Sequence, residues 1–498
     1  MPALAAVLPA TAVALTPLVY LAVRTAEAGW PRVAAELFTD RVAALAVRSL
    51  GLAAVVTAAC VAVGLGLAFL VVRTDLPGRR AFGVVAAMPL AIPTYVAAFG
   101  WTSTLDHFEG FWAAAIVLVA CSYPYVYLPV AAALAGGDAG QEEAARSLGH
   151  GPWRTFVGVT LRQIRPAITA GALLAALYVL SDFGAVSIVR YDTFTRAIFT
   201  AVNMGFDRTG ALVLSTVLVA LAAVLLAGAT LSRRRIGVVG SHARRPPVRA
   251  RLGGWRWPLV GVPVAVAALG LGVPMGSLAW WLLAGVSRPG PIAEVTSAAG
   301  ASLWVSGVGA VLTVGLAVPV GVLAARARGR LGRVGRGVES LTYLGHALPG
   351  LVIGLSLVYF GIAVAYPIYQ TTWLLVLGYA ALFLPLAVGA VHAAAAQASP
   401  RLGEVAASLG RGPLAVLRTV TLPLIAPGVG AGAALVFLTC MKELPATLLL
   451  RPTGMQTLAT ELWDETSTAS YAAAAPYAAL LVLLSAVPTW LLTKGRMA

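Results

Sequence analysis

Glu142-Glu143-Ala144-Ala145-Arg146-Ser147-Leu148-Gly149-His150-Gly151-Pro152-Trp153 reads as a short helix, a stop and a second helix start. Carboxylates at the opening suit the positive end of a helix dipole. Gly149 is the residue type that closes a helix in the left-handed conformation, and Pro152 is a favoured first residue of the next. The same wording returns at Glu404-Val405-Ala406-Ala407-Ser408-Leu409-Gly410-Arg411-Gly412-Pro413-Leu414. A shift of 261 positions, from Glu143 to Glu404, also superposes Leu161 on Leu422, Pro166 on Pro427 and Arg190 on Arg451. A slightly smaller shift matches Ser49 to Ser302, Arg73 to Arg326, Pro93 to Pro349 and Tyr123 to Tyr379. A repeat of this period means two copies of one unit.

Around these hairpins the chain is 59% hydrophobic and 11% charged, where a water-soluble protein carries roughly a quarter charged residues. Apolar runs long enough to cross a bilayer as helices recur throughout. They fall near 3–23, 47–72, 81–101, 111–135, 166–188 and 209–231, then 257–283, 301–325, 339–362, 370–393, 427–449 and 471–492. The fold class is therefore all-α, a polytopic membrane protein of about twelve transmembrane helices in two tandem six-helix repeats. Six crossings is an even number, so the repeats are parallel. The domains expected are 1–231 and 257–498, with 232–256 as a basic linker against the anionic inner leaflet. The first apolar run has no basic stretch before it and no convincing cleavage site after it, so it reads as a retained helix and not a signal peptide.

The net charge of +16 comes from arginines gathered on one side. Arg73, Arg79 and Arg80, the run from Arg233 to Arg256, and Arg326 to Arg336 all follow even-numbered crossings. By the positive-inside rule those connections, and both termini, are cytoplasmic. The opposite connections hold Asp106 and Glu109, or Glu461, Asp464 and Glu465. With the charge so placed, nucleic acid is excluded as a partner and lipid is the surrounding medium. Cys60, Cys121 and Cys440 lie inside apolar runs with no metal-ligand spacing, so no metal site is expected. No catalytic residue is expected either: there is no nucleophile constellation, and no Gly-x-x-x-x-Gly-Lys-Ser/Thr run.

The connection between the fourth and fifth crossings is roughly 30 residues long in each copy, well beyond a usual loop, and such a loop binds something. Leu148, Trp153 and Phe156, with Leu409, Leu414 and Leu417, would be exposed unless a partner covered them. The pattern Glu-Ala-Ala, three residues, Gly, nine residues, then Ile or Val, x, Leu-Pro resembles the coupling-loop signature of binding-protein-dependent ABC importer permeases. The departures are Arg162 where the second copy has Pro423, and Val405 where the first has Ala144. The resemblance implies coupling contacts at Glu143, Ala144, Ala145 and Gly149, and at Glu404, Ala406 and Gly410. It also implies two copies of a cytosolic ATPase, which bind ATP and Mg in place of any cofactor in this chain, an extracytoplasmic solute-binding protein, and a bacterial inner-membrane location.

The fused arrangement, and the stretch Met441-Lys442-Glu443-Leu444-Pro445-Ala446-Thr447-Leu448-Leu449-Leu450-Arg451-Pro452, resemble the permeases of ferric-iron importers, with phosphonate, thiamine and polyamine permeases as alternatives. The counterpart stretch pairs Asp182 with Glu443 and Arg190 with Arg451. A carboxylate on a membrane helix is costly. Asp182 and Glu443, with Arg190 and Arg451, are therefore the candidates for the translocation path; the alternative is that each acid pairs with the arginine eight residues on, or with Lys442. A proton-coupled carrier of two parallel halves is the competing class. Its sequence support is the turn Arg73-Thr74-Asp75-Leu76-Pro77-Gly78-Arg79-Arg80, which the second copy does not repeat with an acid.

Overall fold

Backbone that leaves water must satisfy its N–H and C=O groups internally, and a single helix does so without a partner strand. The computed structural model describes residues 6–203, 205, 207–233, 249–284, 292–327, 329–346 and 348–494. Among these it contains no strand, one isolated bridge from Thr74 to Ala250, and helices throughout. Among the described residues nine helices are long and apolar enough to cross a membrane, and a bent pair, Arg79–Ala91 with Thr94–Thr102, raises this to ten. Two shorter apolar helices, Gly350–Ala363 and Tyr471–Ser485, overlap the runs expected at 339–362 and 471–492 but fall short of the length of a full crossing. Of the basic linker, residues 234–248 lie outside the described residues.

The third crossing breaks in both copies at a proline. Ile92 and Pro93 are extended, as the residue before a proline prefers, and the chain bends by 93° before Thr94 resumes the helix. In the second copy Pro349 is likewise extended between Gly329–His346 and Gly350–Ala363. The fifth crossing differs from the straight runs expected at 166–188 and 427–449. It starts earlier, on the hairpin, as Pro152–Ser181 and Leu414–Met441. It then stops, and short helices Gly184–Ile188 and Pro445–Leu450 follow. The interruption falls on Asp182 in one copy and on Lys442-Glu443 in the other, whose carboxylates cap the helix that follows. Hydropathy averages across such a break.

The chain forms two compact units. One holds Phe38–Thr200 and the described residues of 220–284; the other holds the residues up to Leu37, Ala201–Val219 and those from Ile292 on. In each, the second, fourth and fifth crossings pack on one another: Asp40–Arg73, Pro124–Ala135 and Leu161–Ser181 in one unit, Ile292–Arg326, Thr372–Gln397 and Leu422–Met441 in the other. Small residues permit the approach. A Cβ on Gly171 would lie 2.7 Å from Tyr125 O, and one on its repeat partner Gly432 would lie 2.7 Å from Ala390 Cβ.

The leading helix of each repeat belongs to the unit built mainly from the other repeat. Leu8–Ala28 packs on Gly329–His346, Gly350–Ala363 and Thr372–Gln397, with Tyr20 edge-on to Phe360 at 5.8 Å. The helix running from Arg256 to Ala284 packs on Thr94–Thr102, where Ser103 and Ser277 share a hydrogen bond of 2.7 Å and a Cβ on Gly100 would lie 2.6 Å from Pro274 Cα. Repeat symmetry holds in finer detail too. Ser49 Oγ accepts from Phe194 N at 3.1 Å, and its counterpart Ser302 accepts from Leu458 N at 2.8 Å, each holding the helix before the sixth crossing.

Candidate functional site: the paired hairpins and the broken fifth crossings

Each hairpin is a short helix ended by the same closure. In the first, Asp138 Oδ1 accepts from Gly140 N at 3.0 Å and starts Ala139–Ser147. At the other end Gly149 N donates to Arg146 O at 2.9 Å and His150 N to Ala145 O at 3.1 Å, with Gly149 at φ 84°. In the second, Gly410 N donates to Ala407 O at 3.0 Å and Arg411 N to Ala406 O at 3.2 Å, with Gly410 at φ 81°. These crossed bonds satisfy the last carbonyls and need a residue that tolerates left-handed backbone. A single π turn then joins each hairpin to its crossing, Phe156–Thr160 and Leu417–Thr421. The exits match despite Arg162 standing opposite Pro423.

Of the expected coupling residues, Glu143, Ala144, Gly149, Glu404 and Gly410 are exposed, while Ala145 and Ala406 face inward. Leu148, Trp153, Leu409 and Leu414 are exposed, each by more than half of its surface. Phe156 departs from the expectation of exposure. It is half-buried because its ring packs edge-on against Phe69 at 5.1 Å, and Leu417 is half-buried as well.

Glu142, one residue before the motif, reads in the sequence only as a carboxylate at the helix opening. Its side chain is buried with that of Arg73, to which it is ion-paired, and Thr160 Oγ1 donates to Glu142 Oε1 at 2.7 Å. Burial pushes this carboxyl up, but the hydrogen bonds from Arg73 and Thr160 and the positive charges of Arg73 and Arg146 outweigh it and hold it below the usual glutamate value. The signal was present in the spacing: Ala139, Glu142 and Ala145 share one helical face, and that face is the buried one.

At the broken fifth crossing, Asp182 is buried. Its Oδ1 accepts from Ala185 N at 3.0 Å and Val186 N at 3.3 Å, and its Oδ2 accepts from Thr94 Oγ1 at 2.5 Å. Glu443 Oε1 accepts from Ala446 N at 3.1 Å, and Glu443 O accepts from Thr447 Oγ1 at 2.6 Å, which in turn meets Tyr379 OH at 2.8 Å. The two acids therefore start short helices. Their arginines face elsewhere: Arg190 lies 3.8 Å from Glu109, and Arg451 pairs with Asp464 at 3.4 Å and hydrogen-bonds Gln456. Thr94, 88 residues before Asp182, is a site residue that sequence reasoning missed. Tyr125 and Tyr178, half-buried with rings 5.2 Å apart, stand in the same unit. Among the described residues no group of three or more His, Cys, Asp and Glu side chains could hold a metal ion.

Comparison with known proteins accounts for the doubled pattern. The family model described as "Binding-protein-dependent transport system inner membrane component" matches twice, over residues 60–238 and 317–494. The chain is 40% identical over 483 residues to the Fe(3+)-transport system permease protein FbpB 2 of Haemophilus influenzae, covering 96% of this chain and 95% of that one. It is 31% identical over 202 residues to the molybdenum transport system permease protein ModB of Escherichia coli, covering 35% of this chain and 87% of that one. A sulfate transport system permease protein of Chlorokybus atmophyticus is 31% identical over 186 residues, 33% of this chain and 65% of its own. Two family matches, one on each copy of the hairpin and its crossings, make this chain a member of the binding-protein-dependent transport system inner membrane components, with both permease repeats fused in one polypeptide.

Proposed function

We propose that the chain forms the membrane pathway of an ATP-driven importer of ferric iron, working with a separate ATPase in two copies and an external solute-binding protein. The observation that carries the ATPase partner is the pair of hairpins: two matching closures present exposed Leu148 and Trp153, or Leu409 and Leu414, at and just beyond the ends of the short helices Ala139–Ser147 and Pro400–Ser408. Exposed apolar groups on a rigid, repeated scaffold suit docking into a matching groove. ATP and Mg would be bound by that partner. The family supports this partnership, and the near-complete similarity to a protein named for Fe(3+) transport supports the substrate. Relatives named for molybdenum and sulfate cover a third of the chain, which favours iron over an oxyanion.

The arginine-rich connections support an orientation with the hairpins and both termini in the cytoplasm of a bacterial inner membrane. Within this reading Asp182 and Glu443 hold the short helices along the translocation path, and Arg190 and Arg451 stand toward its outer mouth. A pathway must bind weakly enough to release its cargo, so a carboxylate that attracts a cation while fixed to backbone N–H groups suits transit better than a tight chelate does. Uptake of radiolabelled ferric iron by proteoliposomes containing the chain, the ATPase and the binding protein tests the assignment. ATP-dependent iron uptake is the expected result. Uptake of molybdate or sulfate instead, or iron uptake driven by a proton gradient without the ATPase, overturns it.

A further inference from the structure

The two hairpins share a backbone but differ in how they are attached. Glu142 joins three segments at once: its helix, the last residue of Asp40–Arg73, and Thr160 at the end of the π turn that leads into the fifth crossing. In the second copy the arginine and the threonine recur. Arg326 ends Ile292–Arg326, and its Nη1 donates to Thr421 Oγ1 at 3.0 Å. The glutamate does not recur, because the shift of 261 puts Gly403 at the position of Glu142. Arg326 turns instead to Ala395 O at 3.4 Å and Ala398 O at 3.5 Å, at the end of the fourth crossing, and makes no side-chain bond to Pro400–Ser408 among the described residues.

We infer that Glu142 is a positioning residue: it makes the first hairpin a rigid lever, whereas the second, held without it, is compliant, so that the two transmit the ATPase's movement unequally. An ion pair with both partners buried resists separation, because parting the charges strands each in a poor solvent. The first hairpin must then travel with the second and fifth crossings as one body. The second can pivot on its π turn before Ile292–Arg326 follows. Room exists to make the two alike: a Cβ on Gly403 would meet only Val416 Cγ1, at an ordinary 3.5 Å. The depressed carboxyl of Glu142 agrees with a tie that stays charged at neutral pH.

The lever role rests on the proposed coupling to an ATPase, and two measurements separate them. Amide hydrogen exchange on the whole chain alone in nanodiscs reads the attachment. Solute moved per ATP hydrolysed, in proteoliposomes with the ATPase and binding protein, reads its use. In the wild type, the amides of 143–150 are expected to exchange at least about tenfold more slowly than those of 404–411. Glu142→Gln removes that difference, and Gly403→Glu slows the second hairpin toward the first. Glu142→Gln also lowers the transport-to-ATP ratio by about fivefold while hydrolysis persists. Gly403→Glu adds a contact, so it keeps the comparison open even where Glu142→Gln yields little folded protein. Equal exchange in the two wild-type hairpins overturns the inference, as does a Glu142→Gln protein whose loosened hairpin leaves the ratio unchanged. A wild-type chain that stimulates no ATPase overturns the importer reading and the lever role with it, while the exchange comparison still decides the attachment.

Discussion

Thr94 and Gly350 stand at equivalent positions of the two repeats and complement acids of different length. The Thr94 hydroxyl donates to the shorter Asp182, whereas a Cβ on Gly350 would lie 2.4 Å from Glu443 Oε1, so the longer acid occupies the space that Thr94 fills in the first copy. The pairs Thr94 with Asp182 and Gly350 with Glu443 are each complete, and mixing them is not neutral.

Gly350→Thr should therefore displace Glu443 and cost about 1–3 kcal/mol of stability, the usual range for overfilling a packed site. Combining it with Glu443→Asp recreates the arrangement of the first repeat and should recover most of that loss. Apparent melting temperature and folded yield of the two single variants and the double variant form the cycle. Additive effects would show that the two positions do not share one space.

Asp182→Asn and Glu443→Gln keep an oxygen that can accept from Ala185 N or Ala446 N, so folded yield should hold while flux falls. Removing the charge weakens the attraction for a cation, and the helix start survives. Both quantities must come from the same samples. Wild-type flux in a stable double variant would make these acids structural caps alone.

Gly149→Ala and Gly410→Ala meet no atom within 4 Å, so any effect comes from the backbone alone. Left-handed backbone costs a non-glycine residue about 1–2 kcal/mol. The hairpin closure should loosen, and ATPase stimulation should fall without loss of membrane insertion. Full stimulation in both variants would mean that the partner does not read the closure.

Charge reversal at Glu143 or Glu404 should separate hydrolysis from transport, since both side chains are exposed and neither is needed for the closure. Because the inferred tie at Glu142 holds the hairpin of Glu143 and has no counterpart in that of Glu404, the two variants need not be equally impaired. Negligible defects in both would remove them from the docking surface.

Acid should loosen the first hairpin before the second. The carboxyl of Glu142 is depressed in the folded chain, so its contribution is fully present above the unfolded glutamate value, about 4.3, and is lost as pH falls through the lower folded value. Protection of the amides of 143–150, taken relative to their intrinsic exchange rates and followed downward from pH 6, should hold to about pH 4 and then drop. The second hairpin lacks this carboxylate and should show no such step. Parallel profiles in the two hairpins would count against the tie.

Much of this was legible in the chain because local chemistry decided it. Gly149, Pro152 and their repeats set the hairpins, and hydropathy set the nine or ten full-length apolar helices among the described residues. Three features were not legible, for physical reasons. Glu142 sits beside a motif residue of the same type, and its partner Arg73 is 69 residues away. The break at Asp182 is a polar cap inside an apolar average. Thr94 and Gly350 matter only through residues that the third crossing's bend brings near them.

The exchange of leading helices bears on how such a chain could be divided. A cut within the linker would leave fragments that each bury an opening helix in a unit built mostly by the other fragment. Neither fragment has a complete core of its own, so co-expression should yield both or neither. Correct one-to-one assembly would then be enforced by packing, and the covalent join would serve chiefly to bring the two together at synthesis.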